Sequence, residues 1–440
     1  MALSRTEVVL LLSGRCNLAC AYCYQDRRQV RRTMNWKTLR AATEAALGSG
    51  REEVAVEFTG GEPLLEVALL QRAVRFLEGH RARDTEVSFS LTTNGTMLTP
   101  RLASWLFAHR FKIRLSADGI SAIQGLRGSG AFEALDRVFD FLRADFARQF
   151  RERVTVNATL VAAAIPDLAA SVRYLVEKGV AGIGVGPRIT WDPEWSPSCR
   201  DELLEQVDEV LEFSVEHWRR TGDVPVGFLA RPPLRDPGAP VADFLCSAPA
   251  GAGFCVDPDG RAMACPLFGG SLGKLPALAE EVAHALDLGL VTDRALMDRL
   301  DSLPETARRR RVFVGKRAKR SSYGSCGDCR FASDCRVCPA SICHIPDNRD
   351  PDLVPDFVCA FNQVTLAARE RFDEMTGGER DAAWYAQVSE TLRQLGEAIE
   401  RNHARAGLGR MGRRPDAPDG GRKRRANRGR PRAITARGNG

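Results

Sequence analysis

The sequence predicts an α/β fold: a partial (β/α)6 barrel followed by a cysteine-rich region and terminal helices. Three observations carry this expectation. Short β-like runs alternate with helix-period segments six times in roughly the first 190 residues. Gly, Cys, Asn and Asp residues gather directly after those runs. The 13 cysteines of the 440-residue chain fall mainly into two clusters, in a length that sets a prior of roughly two to three domains and needs no disulfide support.

The β-like runs are Val8–Leu12, Val54–Thr59, Val87–Thr92, Phe111–Ser116, Val154–Leu160 and Ala181–Val185. Between them Trp36–Leu47, Leu64–Glu78, Pro100–His109, Ala131–Gln149 and Ile165–Lys178 repeat apolar residues at three-to-four spacing, the crossovers that parallel strands require. In such sheets the reactive ends are the C-terminal ends of the strands. A Pro- and Trp-rich stretch from Trp191, with one amphipathic helix at Glu202–Arg219, reads as a connector out of the barrel. The cysteine-dense region runs from Cys246 to Cys359. Phe361–Met375 and Ala382–Arg401 read as closing helices, the second with an apolar face of Leu392, Leu395, Ala398 and Ile399. The expected division is 1–190 for the barrel, 191–240 for the connector, 241–362 for the cysteine-rich domain, 363–406 for the helices and 407–440 for a tail.

Hydrophobic residues make up 44% of the chain and charged residues 27%, which excludes collagen-like, wholly disordered and membrane-spanning classes. The apolar run Val8–Leu12 is too short for a signal sequence and no cleavage site follows it. Long length, an odd cysteine count and clustered spacing point to a reducing, cytoplasmic compartment rather than a disulfide scaffold. Residues 401–440 hold 13 Lys and Arg against Asp416 and Asp419, so the net charge of +7 leaves −4 for the first 400 residues. That tail cannot offset its ordering entropy by burial and is expected to be disordered from about Gly407.

After the first strand comes Ser13-Gly14-Arg15-Cys16-Asn17-Leu18-Ala19-Cys20-Ala21-Tyr22-Cys23-Tyr24, a C-x3-C-x2-C loop. Three thiolates in a reducing compartment suit an iron–sulfur cluster or zinc, and three ligands instead of four leave a metal position open. A structural zinc site would need a fourth ligand, and no His follows within the loop.

The loop resembles the hallmark of the radical S-adenosylmethionine (SAM) superfamily, with Tyr22 at the family's aromatic position. After the second strand, Thr59-Gly60-Gly61-Glu62-Pro63 is similar to its GGEP segment, which by resemblance holds the SAM amino group through backbone and carboxylate. Thr92-Thr93-Asn94-Gly95-Thr96, after the third, resembles its TNG segment near the SAM ribose. Leu115-Ser116-Ala117-Asp118-Gly119 is similar to its S-x-D-G, with Arg127 where a family arginine meets the SAM carboxylate. Physically, glycines let backbone approach a zwitterion, and Glu62 and Arg127 complement its two charges. Each motif alone reads as a turn or helix start, with Pro63 at a first helical position; four in order on successive strand ends make coincidence a poor explanation.

Farther on come Cys246-x8-Cys255-x9-Cys265, Cys326-x2-Cys329-x5-Cys335-x2-Cys338, Cys343 and Cys359. Eight or nine thiolates invite two four-ligand sites, for which paired zinc ribbons are the alternative to iron–sulfur. The stretch resembles the SPASM extension of peptide-modifying radical SAM enzymes. The resemblance implies Cys246, Cys255, Cys265 and Cys338 on one auxiliary cluster and Cys326, Cys329, Cys335 and Cys359 on another. The family spacing after the third cysteine is usually three residues and here it is two, so Cys343 competes with Cys338. Cys199 reads as a plain thiol.

The resemblance implies a partial TIM-like barrel with a C-terminal auxiliary-cluster domain, three [4Fe–4S] clusters, and SAM as a source of a 5′-deoxyadenosyl radical. It implies an oxidoreductase that modifies a ribosomally made peptide or protein by crosslinking, oxidation or epimerisation, with a flavodoxin or ferredoxin-type donor. The chain starts at the first barrel strand, so any leader recognition is expected to be separate or absent. Sulfatase maturases resemble it in this respect, but their catalytic carboxylate follows the cysteine closing the G-x4-C stretch, where this chain has Pro266, with Asp257 and Asp259 nearby. No catalytic acid or base is assigned, since Asp118, Asp192, Asp257 and Asp259 read as turn or cap residues. Rival readings are the same machinery acting on a small metabolite and a non-enzymatic iron–sulfur or zinc protein. The basic run Arg308–Arg320 and the tail read as solvated surface, or as attraction for an acidic peptide or donor. Neither a membrane nor nucleic acid is expected, for no aromatics interleave with the basic residues.

Overall fold

The computed structural model describes residues 5–25, 32–81, 85–230, 234, 244–246, 248–268 and 277–377. The expected helix at Ala382–Arg401 and the basic tail lie outside the described residues. The described residues up to 377 form one compact unit.

Six parallel strands lie in the order β6-β5-β4-β3-β2-β1: β1 (Arg5–Ser13), β2 (Glu53–Gly60), β3 (Glu86–Thr93), β4 (Lys112–Ser116), β5 (Val154–Leu160) and β6 (Ile183–Pro187). Their crossovers carry α1 (Trp36–Leu47), α2 (Val67–His80), α3 (Pro100–Ala108), the short α4 (Ser121–Gln124), α5 (Ala131–Asp145), α6 (Ala147–Arg153) and α7 (Leu168–Glu177). This is the partial (β/α)6 barrel the alternation predicts. Caps place the helices: Asn35 accepts from Thr38 N at 3.0 Å to start α1, and Thr99 accepts from Leu102 N at 3.2 Å ahead of Pro100. The segment expected as one helix over Ala131–Gln149 is two, because Phe146 leaves helical dihedrals (φ −135°, ψ 34°) and packs its ring 5.3 Å from Phe107.

Strand alternation divides the sheet into two chemistries. Val54, Val56, Phe58, Leu91, Ile113, Leu115, Val154, Val156 and Ile183 are buried in the core. The alternate positions Glu57, Thr92, Arg114, Asn157 and Gly184 line a cavity on the other face. Burial of the first set at about 25 cal/mol per Å² holds barrel and helices together; the second set leaves the lumen hollow and polar.

Beyond the six units the sheet continues. β7 (Gly253–Val256) runs parallel to β1 with Val9 opposite Cys255, and β8 (Arg261–Met263) and β9 (Asp287–Leu290) follow antiparallel. The long helix α8 (Ser198–Thr221) packs on α7. Val226 bridges to Ile183, so the chain returns to the barrel edge after α8. The region closes with α9 (Ala277–Ala285), α10 (Leu296–Arg308), a small ribbon of β10 (Arg320–Ser321) and β11 (Gly324–Ser325), α11 (Pro339–Cys343) and α12 (356–377). Phe357 on α12 stacks at 4.6 Å on Trp195. Among the described residues no helix is long and apolar enough to cross a membrane.

The β1–β7 contact tolerates no side chain at Gly253, where a Cβ would lie 2.1 Å from the Glu7 carbonyl oxygen. Gly253→Ala is therefore expected to cost about 2 kcal/mol or more in a urea melt; an unchanged midpoint would show that β7 is not held against β1.

Candidate active site: a three-cysteine loop at a polar barrel lumen

The loop after β1 is held by the backbone of its neighbours. Ala19 N donates to Arg127 O at 3.1 Å and Ala21 N to Leu126 O at 2.8 Å. Cys16 Sγ accepts from Leu18 N at 3.4 Å and from Asn94 Nδ2 at 3.8 Å. Cys16, Cys20 and Cys23 all line one cavity of about 580 Å³ at the C-terminal strand ends, and no fourth cysteine and no histidine lines it among the described residues.

Gly60 and Gly61 are required by close approach. A Cβ on Gly60 (φ +133°) would lie 2.5 Å from Ser13 O, and one on Gly61 2.2 Å from Arg15 O. The glycine pair thus lies directly against the root of the cysteine loop, with Gly61 N donating to Ser13 O at 2.7 Å and Gln25 Nε2 to Gly60 O at 3.1 Å. Glu62 is fully buried. Its carboxylate accepts from Thr93 Oγ1 (2.6 Å), Asn94 N (2.8 Å) and Leu64 N (3.0 Å), so it ties the β2 loop to the β3 loop. Burial pushes the Glu62 carboxyl above its ordinary range against these three donors. Thr93 and Asn94 line the cavity; Asn94 reaches the Cys16 thiol and Asn17 Oδ1, the latter at 3.0 Å.

Asp118 is the centre of a buried cluster. Its carboxylate accepts from Arg127 Nε (2.8 Å) and Nη2 (2.6 Å), from Thr159 N (2.9 Å) and from the Tyr22 hydroxyl. Arg127 is 6% and Asp118 5% exposed, so the pair is shielded. Burial opposes the Arg127 charge, but Asp118 and its neighbours outweigh it and the guanidinium is held above its usual value. Burial also pushes the Tyr22 hydroxyl well up, so it stays a donor. Arg127 therefore meets a carboxylate of its own chain, while part of it still lines the cavity with Ser116, Gly60 and Gly61. The cavity's other charges are Glu57 and Arg114, 3.2 Å apart with Thr92 Oγ1 donating to Glu57 at 2.6 Å, and Arg188 at the end of β6.

The later cysteines fall into two sets. Cys326, Cys329, Cys335 and Cys359 line one small cavity with Phe331, Ala332 and Leu366. In the other, Cys338 and Cys246 act electrostatically on Cys265, and Cys265 on Cys255. Cys343 is buried and feels Cys338 as its one cysteine neighbour. Burial pushes the Cys265 and Cys335 thiols up to about 12 and Cys246 and Cys326 up to about 11. Burial alone keeps such thiols protonated near neutrality, as it does for Cys343. Among the described residues no three Cys, His, Asp or Glu side chains close on a position for one metal ion. A multi-iron cluster, in which each thiolate holds a different iron, asks for wider spacing than that.

Fold and site together define a partial-barrel protein with three thiols presented at a polar lumen. Residues 10–162 match the family model described as Radical SAM superfamily, so the chain carries a radical SAM domain over these residues, and such a domain implies SAM and a [4Fe–4S] cluster. An uncharacterized protein of Methanocaldococcus jannaschii is 25% identical over 179 residues, 40% of this chain and 60% of that protein. The cysteine-type anaerobic sulfatase-maturating enzyme of Clostridium perfringens (strain 13 / Type A) is 27% identical over 143 residues, 30% of this chain and 39% of the enzyme. The serine-type enzyme of Klebsiella aerogenes is 33% identical over 137 residues, 29% of this chain and 34% of the enzyme. The matches thus span from about a third to three fifths of these relatives. Among solved structures, native anSMEcpe with bound AdoMet and Kp18Cys peptide superposes with a TM-score of 0.61 at 17% identity, covering 86% of this chain and 99% of that one. Streptococcus suis SuiB bound to S-adenosylmethionine gives 0.51 at 15% identity, covering 81% and 77%. These likenesses carry the fold.

Sequence reasoning missed the anchoring role of Asp118, which its S-x-D-G setting disguises as a turn. Asp192 does cap, accepting from Ala162 N at 2.9 Å and Glu194 N at 3.1 Å. In the basic run, Arg309 pairs with Glu305, Arg310 with Glu281, Arg311 with Asp352 and Arg320 with Asp350, while Lys319 is fully buried. Asp118→Ala, which leaves Arg127 buried without its carboxylate, is expected to cost about 3–5 kcal/mol in a urea melt, against about 1 kcal/mol for Tyr22→Phe. Similar small losses for both would contradict the anchoring role.

Proposed function

We propose that this protein is a radical SAM enzyme that oxidatively modifies a residue of a ribosomally made peptide or protein. The observation that carries it is the set of three thiols, Cys16, Cys20 and Cys23, around one cavity with no fourth ligand of their kind. Cys16, Cys20 and Cys23 would hold a [4Fe–4S] cluster, which together with SAM would supply one-electron reductive cleavage to a 5′-deoxyadenosyl radical.

The chain's own residues bind, orient and shield. Backbone at Gly60 and Gly61, pressed against the cysteine loop, and the polar atoms of Ser116 and Asn94 offer donors and acceptors for SAM at the cavity wall. Glu62 acts one step back, fixing the Thr93-Asn94 segment, and Asp118 fixes Arg127 and Tyr22. The rigid frame holds the reacting groups in one geometry, from which most of the rate advantage of such a site derives.

Cys246, Cys255, Cys265 and Cys338 are the proposed ligands of one auxiliary cluster and Cys326, Cys329, Cys335 and Cys359 of the other. Cys338 is preferred to Cys343 because it acts on both Cys246 and Cys265. Full ligation by protein suits these clusters to electron transfer, from a flavodoxin or ferredoxin-type donor and away from the substrate. A peptide substrate is supported by the breadth of the fold likeness to a structure that contains a peptide.

Anaerobic reconstitution tests the reading. About twelve irons are expected in the wild type and about eight in the Cys16→Ala, Cys20→Ala, Cys23→Ala variant, with 5′-deoxyadenosine formed by the wild type alone. Zinc in place of iron, or no SAM cleavage under strong reductant, would overturn it. In the same assay Cys338→Ala is expected to lose about four irons and Cys343→Ala to keep about twelve; the reverse would assign the ligand to Cys343.

A further inference from the structure

Arg188 stands out among the charges of the lumen. Glu57 is paired with Arg114, and Arg127 with Asp118. Arg188 lines the same cavity, half-buried at the C-terminal end of β6, and among the described residues no carboxylate lies within ion-pair distance of it. It is also oriented. The Thr190 hydroxyl accepts from both Nε (3.1 Å) and Nη2 (3.0 Å), and Arg188 N donates to Leu160 O at 2.9 Å. This fixes the plane of the guanidinium and leaves both Nη1 hydrogens for another acceptor.

The approach to it is open at Gly186. Gly184 and Gly186 occupy the alternate positions before Arg188 and line the cavity; a Cβ on Gly184 would meet Asn157 Oδ1 at 2.9 Å, and one on Gly186 would meet nothing within 4 Å. Just past Arg188, Trp191 is 40% exposed in the loop that also contributes Thr190 to a small neighbouring cavity. A half-buried guanidinium that is pre-aligned, has no ion-pair partner among the described residues and is open on the Gly186 side is a receptor for a planar anion, and carboxylate is the anion a peptide brings.

We propose that Arg188 is a specificity-determining residue that binds a carboxylate of the substrate, an Asp or Glu side chain close to the position modified. This rests on the peptide-modifying reading above and deepens it.

The test uses the full-length reconstituted protein with SAM bound, panned anaerobically against a displayed library of random peptides. The wild type is expected to enrich peptides with Asp or Glu at one position, and an enriched peptide remade with Gln at that position is expected to bind about tenfold more weakly or worse by fluorescence anisotropy. Arg188→Ala is expected to bind the two peptides alike, and Arg188→Glu to enrich Lys or Arg instead. Affinity for SAM, read by equilibrium dialysis, is expected to be unchanged in Arg188→Ala. Enrichment without an acidic position, or no enrichment, would overturn the proposal. So would a loss of SAM affinity in Arg188→Ala with peptide preference unchanged, which would assign Arg188 to the SAM carboxylate. If enriched peptides are modified but carry no acidic preference, this inference alone fails; if no SAM is cleaved, the parent reading fails.

Discussion

The buried pairing of Asp118 with Arg127 is the contact on which the site depends. Asp118 stands just past the end of β4, accepts from the β5 backbone at Thr159, and receives the Tyr22 hydroxyl from the cysteine loop. The carbonyls of Leu126 and Arg127 then take the amides of Ala21 and Ala19. Two strands and the cysteine loop are thus fixed to one shielded ion pair, in which neither partner can be released without isolating a charge away from water. Gly60 and Gly61 press on the same loop from the β2 side. A loop clamped on both flanks keeps its three thiols at one mutual spacing, the condition for holding a cluster with a single open position.

The second constraint is the polarity of the lumen. Closed barrels of eight strands fill their interior with layers of branched apolar side chains. Here the interior positions of β2 to β6 include Glu57, Thr92, Arg114, Asn157, Gly184 and Gly186, and the apolar core lies between the strands and their helices. An open, hollow arc leaves space for ligands without cavities in the packed core. The same sheet also links the two cysteine regions. β1 leads into the Cys16 loop, and its other neighbour β7 carries Cys255, so a cysteine of the later set stands on the strand next to the one that leads into the first loop.

Much of this was legible in the sequence because it is local. Periodicity placed all six strands within a few residues, and α1 at Trp36–Leu47 with the bounds observed. The three-cysteine loop and the later cysteines announced themselves by spacing. What stayed hidden is tertiary. Gly253–Val256 is a four-residue strand whose attachment to β1 depends on how closely Glu7 approaches Gly253, and no local pattern encodes that. Asp118 resembles any turn aspartate until Thr159, far along the chain, is seen to donate to it. Glu62 and Arg127 have the right charges to complement a zwitterion, yet the fold engages both carboxylate and guanidinium within the chain, and among the described residues the cavity charge with no ion-pair partner belongs to Arg188, which no motif marks.

The proposed function requires that the cluster on Cys16, Cys20 and Cys23, and that cluster alone, has a position open to SAM. Electron paramagnetic resonance of the anaerobically reduced full-length protein, recorded with and without SAM, tests it most directly. A signal that changes on SAM addition and is absent from the variant lacking Cys16, Cys20 and Cys23 is expected, together with signals that SAM leaves unchanged and that persist in the variant. Spectra insensitive to SAM, or a SAM-sensitive signal that survives in the variant, would contradict it.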